Sequence, residues 1–234
     1  MRAARVPGIQ YVAVDRNGVL RECHAGCADL ATRRPMTADT TMMAFSMSKT
    51  VTALATLQLL DRGALSLDVP LARFVPWQPY GPDVTIRQLL CHTAGIPNPL
   101  PLRWVHPAGD AAFEERAHLD AVLRRHPRLA SPPGTRYAYA NIGYWLLGDA
   151  TRALMQTRQT AQRGPIPMTL GWHIGGPADT PYFFKEGGGG GFHSMMRLYP
   201  VARVGSVVMT NATLFNVRAL LDAADAQLLR DRND

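Results

Sequence analysis

Alternating apolar and polar positions near both ends of the chain predict the strands of one antiparallel sheet. An early hairpin is indicated by the apolar run Ile9–Val14, the turn residues 15–18 and a second extended run from Val19 toward Gly26. Later extended runs lie at Tyr182–Gly187, Phe192–Tyr199 and Val204–Met209, and a short strand is predicted at Thr169–His173. The two groups together predict a sheet of about five strands.

Helical spacing of apolar residues fills the stretch between the two groups of strands. One helix is predicted from Ser46 to Arg62, with an apolar stripe at Val51, Leu54, Leu57 and Leu60. Further helices are predicted after Thr85, through Tyr144 to Ala150, and from Val217 to Leu228, the last lying on the sheet. The predicted fold is therefore α/β (α+β), with an antiparallel sheet flanked by helices in a single domain of residues 1–234.

Composition excludes several classes of protein. Apolar residues make up 47% of the chain and charged residues 18%, a balance typical of a folded globular protein. No apolar run approaches the roughly 18 residues of a membrane span, and residues 1–14 lack the apolar segment of a signal peptide. The sequence as written therefore indicates a cytoplasmic protein, although a secreted protein whose signal peptide had been removed would look the same.

Charged and metal-binding residue types narrow the chemistry further. The net charge of +7 is spread along the chain without a nucleic-acid-binding motif, so no nucleic-acid partner is predicted. Cys23 and Cys27 would lie about 13 Å apart on a strand, too far for a disulfide, and no second pair of ligands accompanies them, so no metal site is predicted. Among 25 lysines and arginines only Lys49 and Lys185 are lysine, the basic residue that loses its proton readily when buried.

A serine and a lysine stand three residues apart at the start of a predicted helix. This spacing puts the Ser46 hydroxyl and the Lys49 amine on one face, close enough for a proton to pass. Serine needs such a neighbouring base to act as a nucleophile, and backbone N–H groups at a helix start stabilise an oxyanion. The alternative is that Ser46 only caps the helix while Lys49 is solvated.

Three short segments follow one another in a fixed order: Ser46-Met47-Ser48-Lys49, Tyr139-Ala140-Asn141 and Lys185-Glu186-Gly187. In residue type and order they resemble the three motifs of the serine β-lactamase and penicillin-binding protein superfamily, nearest to class C β-lactamases and family VIII carboxylesterases. The resemblance covers most of residues 7–155 and 168–212. It implies a β-lactamase/DD-peptidase-like fold with a sheet lobe at about residues 1–45 and 168–234 and a helical lobe at about 46–167.

The resemblance implies an acyl-transfer site that needs no cofactor. Ser46 would attack the substrate carbonyl, and Lys49 and Tyr139 would move protons. A phenol beside two amines suits this task because positive charge stabilises its anion, but Lys49 is an equally suitable base, and the sequence leaves both open. Asn141 is implied to hold Lys49 and the amide of a substrate side chain.

The third motif is predicted to supply electrostatic and backbone contacts. Along a strand, Lys185 and Gly187 share one face while Glu186 points to the other, and the missing side chain of Gly187 permits close approach. Lys185 is suited to attract a substrate carboxylate. By resemblance, the N–H groups of Ser46 and Gly188 would form the oxyanion hole.

The chain departs from the family in two places. The segment between Asn141 and Lys185 is much shorter than in most relatives, so part of the helical lobe is missing. An open cleft would expose apolar surface to bulky esters or to a second copy of the chain, which makes a homodimer one predicted assembly, and it would equally loosen positioning. Glu186 replaces a small hydroxyl residue, and if it turned inward it would compete with substrate for Lys185.

Two functions are indicated by the motifs, and the net charge of +7 leaves a third interpretation, a basic interaction module that would bind nucleic acid in a salt-sensitive way. The first is a serine hydrolase that works through an acyl-enzyme on a small acyl substrate: a carboxylic ester, a β-lactam or a D-alanyl peptide. The alternative is a slow-turnover or non-catalytic penicillin-binding relative with a regulatory role, weakened by the loss of part of the helical lobe.

Overall fold

The computed structural model describes residues 6–99, 112–155, 172–177 and 181–230. The chain divides into two units. A sheet unit comprises residues 1–50 and 172–234, and a helical unit comprises residues 51–171. The predicted single-domain organisation stays a prediction.

Within the residues that the structure describes, seven strands form the sheet, each antiparallel to its neighbours, in the order β3-β2-β1-β7-β6-β5-β4. The strands are β1 (Gly8–Asp15), β2 (Gly18–Asp29), β3 (Arg34–Pro35), β4 (His173–Gly175), β5 (Tyr182–Gly189), β6 (Phe192–Tyr199) and β7 (Val204–Thr210). The prediction of about five strands is therefore wrong in number. The additional strands β3 and β4 have two and three residues, too few to leave an alternating pattern. The short strand predicted at Thr169–His173 shares only His173 with β4, and residues 169–171 lie outside the described residues.

Five α-helices lie in the described part of the chain: α1 (Ser48–Asp61), α2 (Ile86–Leu90), α3 (Glu115–Arg125), α4 (Asn141–Met155) and α5 (Val217–Arg230). Thr85 begins α2 with a capping box, in which its hydroxyl accepts from the Gln88 N–H and the Gln88 side chain accepts from the Thr85 N–H. None of the described helices is long and apolar enough to cross a bilayer.

The sheet unit has its core between the sheet and α5. Val217, Leu221 and Leu228 are buried on this helix, as the apolar spacing predicts for a helix lying on a sheet. They belong to one apolar cluster with residues of three strands, namely Tyr11, Ala13, Met195, Tyr199, Val204 and Val208. Because α5 covers this face, the candidate site is expected on the opposite face of the sheet.

The helical unit has a separate core in which α4 contributes the residues its pattern predicts. Tyr144, Leu147 and Ala150 are all buried there, together with Ile86 and Leu90 of α2. The Tyr144 hydroxyl donates to the carbonyl of Leu90 at 3.1 Å, which ties the two helices together.

The apolar stripe predicted for α1 marks its buried face only in part, since Leu57 and Leu60 pack against the core while Val51 and Leu54 do not. Val51 and Leu54 are 68% and 58% exposed, whereas Ala53, Thr56 and Leu59 are buried. Apolar residues occur on nearly every side of this helix, so their spacing does not single out one face.

Candidate active site

The predicted nucleophile lies in a tight turn that precedes α1. Phe45–Met47 form one turn of 3-10 helix, in which the Met47 N–H donates to the Ala44 carbonyl at 3.0 Å, and the α-helix begins only at Ser48. Ser46 is half-buried and Met47 is buried. The helix start predicted at Ser46 is therefore displaced by two residues, and Ser46 stands just before the first turn of α1.

The amine of Lys49 reaches the Ser46 hydroxyl. Lys49 Nζ donates to Ser46 Oγ over 3.2 Å, and burial lowers the pKa of Lys49 to about 8. This geometry disagrees with a solvated Lys49, which was the alternative. A neutral amine at this distance is placed to accept the serine proton.

The second lysine lies on β5 and is more deeply enclosed. Lys185 is 2% exposed, and burial together with the positive charge of Lys49 lowers its pKa to about 8. Lys49 and Lys185, both in the sheet unit, therefore disfavour each other's protonation, because the second positive charge costs more free energy than the first.

Glu186 does not turn toward Lys185. Its Oε1 lies 2.7 Å from His193 Nε2 of β6, and its Oε2 lies 3.4 Å from Arg218 Nη2 of α5. Alternation along β5 thus puts Glu186 on the face that carries α5, away from Lys185 and Gly187. The competition with substrate that an inward Glu186 would cause does not arise in this structure.

Gly187 lets β5 approach the nucleophile turn. A Cβ atom built at Gly187 would clash with the carbonyl oxygen of Ala44 and would lie 3.1 Å from the backbone nitrogens of both Ser46 and Met47. Because any larger residue would push this turn away, the missing side chain serves the approach of the protein's own backbone. The Ser194 hydroxyl of β6 fixes the same point of β5 by donating to the Gly187 carbonyl at 3.0 Å.

Gly188 follows on β5 and is exposed. Its register partner on β6 is His193. The pairing of its N–H with that of Ser46 as an oxyanion hole stays a prediction.

Tyr139 and Asn141 belong to the helical unit. Tyr139 is half-buried on the loop before α4, and Asn141 is the first residue of that helix. The N–H of Asn141 donates to Asn98 Oδ1 at 2.9 Å. The structure brings Ser46, Lys49, Lys185 and Gly187 together in the sheet unit, whereas the predicted roles of Tyr139 and Asn141 beside them stay predictions.

His92 organises the loop of the second motif, a role beyond the framework position that the sequence predicts for it. Its carbonyl accepts from the Ala138 N–H at 2.7 Å, and its Nδ1 accepts from the Ala140 N–H at 3.2 Å. The imidazole ring lies 4.4 Å from the ring of Tyr139, centroid to centroid. The only signal in the sequence is the similarity of residues 89–96 to a framework stretch of the family.

Comparison with known proteins finds a matching family and several relatives of this chain. Residues 1–163 match the family model described as Beta-lactamase, a range that includes the first two motifs and ends before the third. The chain is 31% identical to penicillin-binding protein 4 of Amycolatopsis lactamdurans over 179 residues, which cover 72% of this chain and 44% of that protein. It is 36% identical to esterase EstB of Burkholderia gladioli over 102 residues, covering 41% and 26% of the two chains. The chain thus matches less than half the length of these curated relatives.

Solved structures show the same fold. The octameric penicillin-binding protein homologue from Pyrococcus abyssi superposes with a TM-score of 0.77 at 19% identity, over 96% of this chain and 74% of that one. The family model spans more than half of this chain, and a relative above 30% identity covers more than two thirds of it. This chain belongs to the Beta-lactamase family, within the superfamily of serine β-lactamases and penicillin-binding proteins.

Proposed function

We propose that this chain is a serine hydrolase that forms an acyl-enzyme on Ser46 with small carboxylic esters or β-lactams. The observation that carries the proposal is the 3.2 Å contact between Ser46 Oγ and Lys49 Nζ, made by an amine whose pKa burial lowers to about 8. Near neutral pH such an amine is neutral in an appreciable fraction of molecules, which is the form that accepts a proton.

Acylation begins when Ser46 Oγ attacks the carbonyl carbon of the substrate and its proton passes to the neutral Lys49 amine. The bond between the carbonyl carbon and the ester oxygen, or the lactam nitrogen, then breaks. The leaving oxygen or nitrogen then receives from Lys49 the proton that came from Ser46. A lactam leaving group stays attached to the acyl chain, whereas an ester releases an alcohol.

Deacylation repeats the sequence with water. A water molecule attacks the acyl carbon while a base takes one of its protons, and the bond to Ser46 Oγ breaks as the serine regains a proton. No cofactor takes part in either half of the reaction. The N–H groups of Ser46 and Gly188 are proposed to stabilise the oxyanion in both halves.

Tyr139 and Asn141 enter the proposal through the second motif. Tyr139 is proposed to share proton transfer with Lys49, and Asn141 to hold the amide of an acyl side chain. Support comes from the family match, which includes both residues. Lys185 adds positive potential to the site and favours acyl substrates that carry a carboxylate.

The proposal is tested by following hydrolysis of a chromogenic ester and of a chromogenic cephalosporin, with intact protein mass recorded over time. Turnover of either compound by the parent chain, reduced on the order of a thousandfold or more in Ser46→Ala, is the expected result. Equal turnover by the parent and Ser46→Ala would contradict it.

A second function is motivated by the short segment between Asn141 and Lys185, which leaves out part of the helical lobe that most relatives have. In this alternative the chain captures β-lactams or related acyl compounds without releasing them, as a binding or regulatory protein. A stable mass adduct on Ser46 that persists without turnover distinguishes it from the hydrolase.

A further inference from the structure

The residue before the candidate nucleophile has an unusual backbone conformation. Phe45 has φ 45°, in the left-handed region that residues other than glycine and asparagine seldom adopt. It opens the 3-10 turn that carries Ser46. A conformation of this kind persists only where surrounding contacts determine it.

Those contacts come from the ring of Phe45 and from its carbonyl group. A Cβ atom built at Gly189 would lie 2.5 Å from Cε1 and 2.8 Å from Cζ of Phe45, so the ring occupies the place of a side chain on β5. The ring centroid lies 6.3 Å from that of Phe192, the register partner of Gly189 on β6. The Phe45 carbonyl accepts from both the N–H and the hydroxyl of Ser48.

The position of this ring links two predicted parts of the site. Phe45 is bonded directly to Ser46, and Gly189 is bonded directly to Gly188. Besides the close approach of Gly187, contact between Phe45 and Gly189 is therefore a second point at which the nucleophile turn rests on the strand segment that carries the second predicted oxyanion donor. An oxyanion hole works only when both donors lie within hydrogen-bond distance of one oxygen.

We propose that Phe45 is a positioning residue, whose ring holds Ser46 at its working distance from Gly188 by resting on the bare backbone of Gly189. The proposal rests on the proposed function, because it concerns the reactivity of Ser46. A residue that only filled space would change activity in step with stability. Replacing a positioning residue lowers activity without a matching loss of stability.

The experiment compares Phe45→Gly with Phe45→Ala. Both lose the ring, but alanine keeps the unfavourable positive φ and glycine adopts it freely. The rate of covalent labelling by a fluorophosphonate, read by intact mass, reports Ser46 directly. In this reaction Ser46 Oγ bonds to phosphorus as the phosphorus–fluorine bond breaks, and the serine proton leaves with fluoride.

Phe45→Gly and Phe45→Ala are both expected to label more slowly than the parent by about tenfold or more, because both lose the ring, while Phe45→Gly unfolds at a higher temperature than Phe45→Ala because glycine adopts the positive φ without strain. Labelling of Phe45→Gly at the parental rate would overturn the proposal. Labelling of both variants in proportion to their stability would overturn it as well.

A second pair of variants approaches the contact from the strand. Gly189→Ala pushes a methyl group into the ring and is expected to slow labelling by about tenfold in the parent, but by less than about twofold in Phe45→Ala, where the ring is gone. Gly190→Ala is the matched control, because a Cβ atom there meets nothing within 4 Å. Equal effects of Gly189→Ala in both backgrounds would refute the positioning role alone. A parent chain that does not label at Ser46 at all would overturn the proposed function and this inference together.

Discussion

At the scale of single residues, the candidate site depends on the pH at which Lys49 and Lys185 lose their protons. Burial lowers the pKa of Lys49, and burial together with the charge of Lys49 lowers that of Lys185. A chain that uses arginine at every other lysine-or-arginine position thus keeps its two lysines where an arginine would stay charged. The sequence predicts these positions from residue type, but not how deeply each side chain is buried.

The pKa of Lys49 sets the expected pH dependence of acylation. If neutral Lys49 takes the serine proton, the labelling rate of Ser46 rises with pH and levels off above a midpoint near the Lys49 pKa of about 8. Stopped labelling time courses between about pH 6 and about pH 9.5 measure this profile. Lys49→Met should lose the rise and keep only residual reactivity. A rate that does not change across the range would contradict a titrating base at position 49.

A methyl group at Gly187 should harm the site more than one at a neighbouring glycine. Gly187→Ala places its Cβ against the Ala44 carbonyl and 3.1 Å from the Ser46 nitrogen, and overpacking of this kind costs about 1–3 kcal/mol. Gly190→Ala meets no atom within 4 Å and is the control. Thermal unfolding and Ser46 labelling are measured on both variants. Equal behaviour of the two would show that the turn does not rest on Gly187.

At the scale of elements, a buried polar network fastens α5 to the sheet. Asp225 accepts hydrogen bonds from the hydroxyls of Tyr199 at 2.8 Å, Ser206 at 2.9 Å and Tyr11 at 3.3 Å. Arg197 Nη1 lies 3.6 Å from Asp225 Oδ2, and both side chains are 1% exposed. The two charges are thus buried side by side, and the Asp225 carboxylate accepts from three hydroxyl groups, of which that of Tyr199 also accepts from Arg197 Nη1 at 3.4 Å.

Asp225→Asn should loosen this attachment because it leaves the Arg197 charge without its buried partner. Breaking one side of a buried pair typically costs about 3–5 kcal/mol, which chemical denaturation measures. Asp222→Asn is the matched control, since Asp222 also pairs with Arg197, at 2.7 Å, but is 60% exposed. Its expected cost is about 1 kcal/mol or less. Similar costs for the two variants would mean that the buried pair does not hold α5.

Sequence patterns predict elements better than they predict the faces that elements bury. The strands β1, β5, β6 and β7 follow from their apolar runs, and β1, β6 and β7 supply residues to the core beside α5. Strand β2 is exposed along most of its length and follows instead from the turn that joins it to β1. Helix α1 is apolar on nearly all sides, so its exposed Val51 and Leu54 could not be separated from its buried residues. The positive φ of Phe45 left no signal, since the contacts that hold it come from β5, far away in the chain.

At the scale of the whole molecule, the sheet unit is assembled from the two ends of the chain. β1 pairs with β7, with Tyr11 opposite Val208, and the nucleophile turn meets β5 only because both ends take part in the sheet. The residue types of the three motifs and their order predict the chemistry. The strands that the motif residues contact are distant in the sequence, so spacing along the chain does not reveal those contacts. Gly187 and Ser46 illustrate this, because the sequence places them in separate motifs and the structure places their backbones in contact.

The stability of the whole protein should depend on pH through its two lysines, Lys49 and Lys185. Both have a folded-state pKa of about 8, below the unfolded value of about 10.4. Between these values the unfolded chain binds more protons than the folded one, so a rise in pH favours the folded state. The free energy of unfolding should therefore increase from about pH 7.5 to about pH 9.5, where tyrosine ionisation in the unfolded chain does not yet dominate.

Lys185→Met isolates the share of this effect that belongs to one amine. The thioether side chain fills a similar volume without a charge, so the variant should melt about 5 °C above the parent near neutral pH, where the parent carries a charged Lys185 at a desolvation cost. The difference should shrink as pH approaches about 9.5, because Lys185 is then neutral in the folded parent as well. Arg230→Met, at the exposed end of α5, removes a charge that does not titrate in this range and should shift melting by a constant amount. A difference in melting temperature between Lys185→Met and the parent that stays constant with pH would mean that the Lys185 amine keeps its proton over the whole range. The pKa of Lys185 would then not be lowered by burial and by the charge of Lys49.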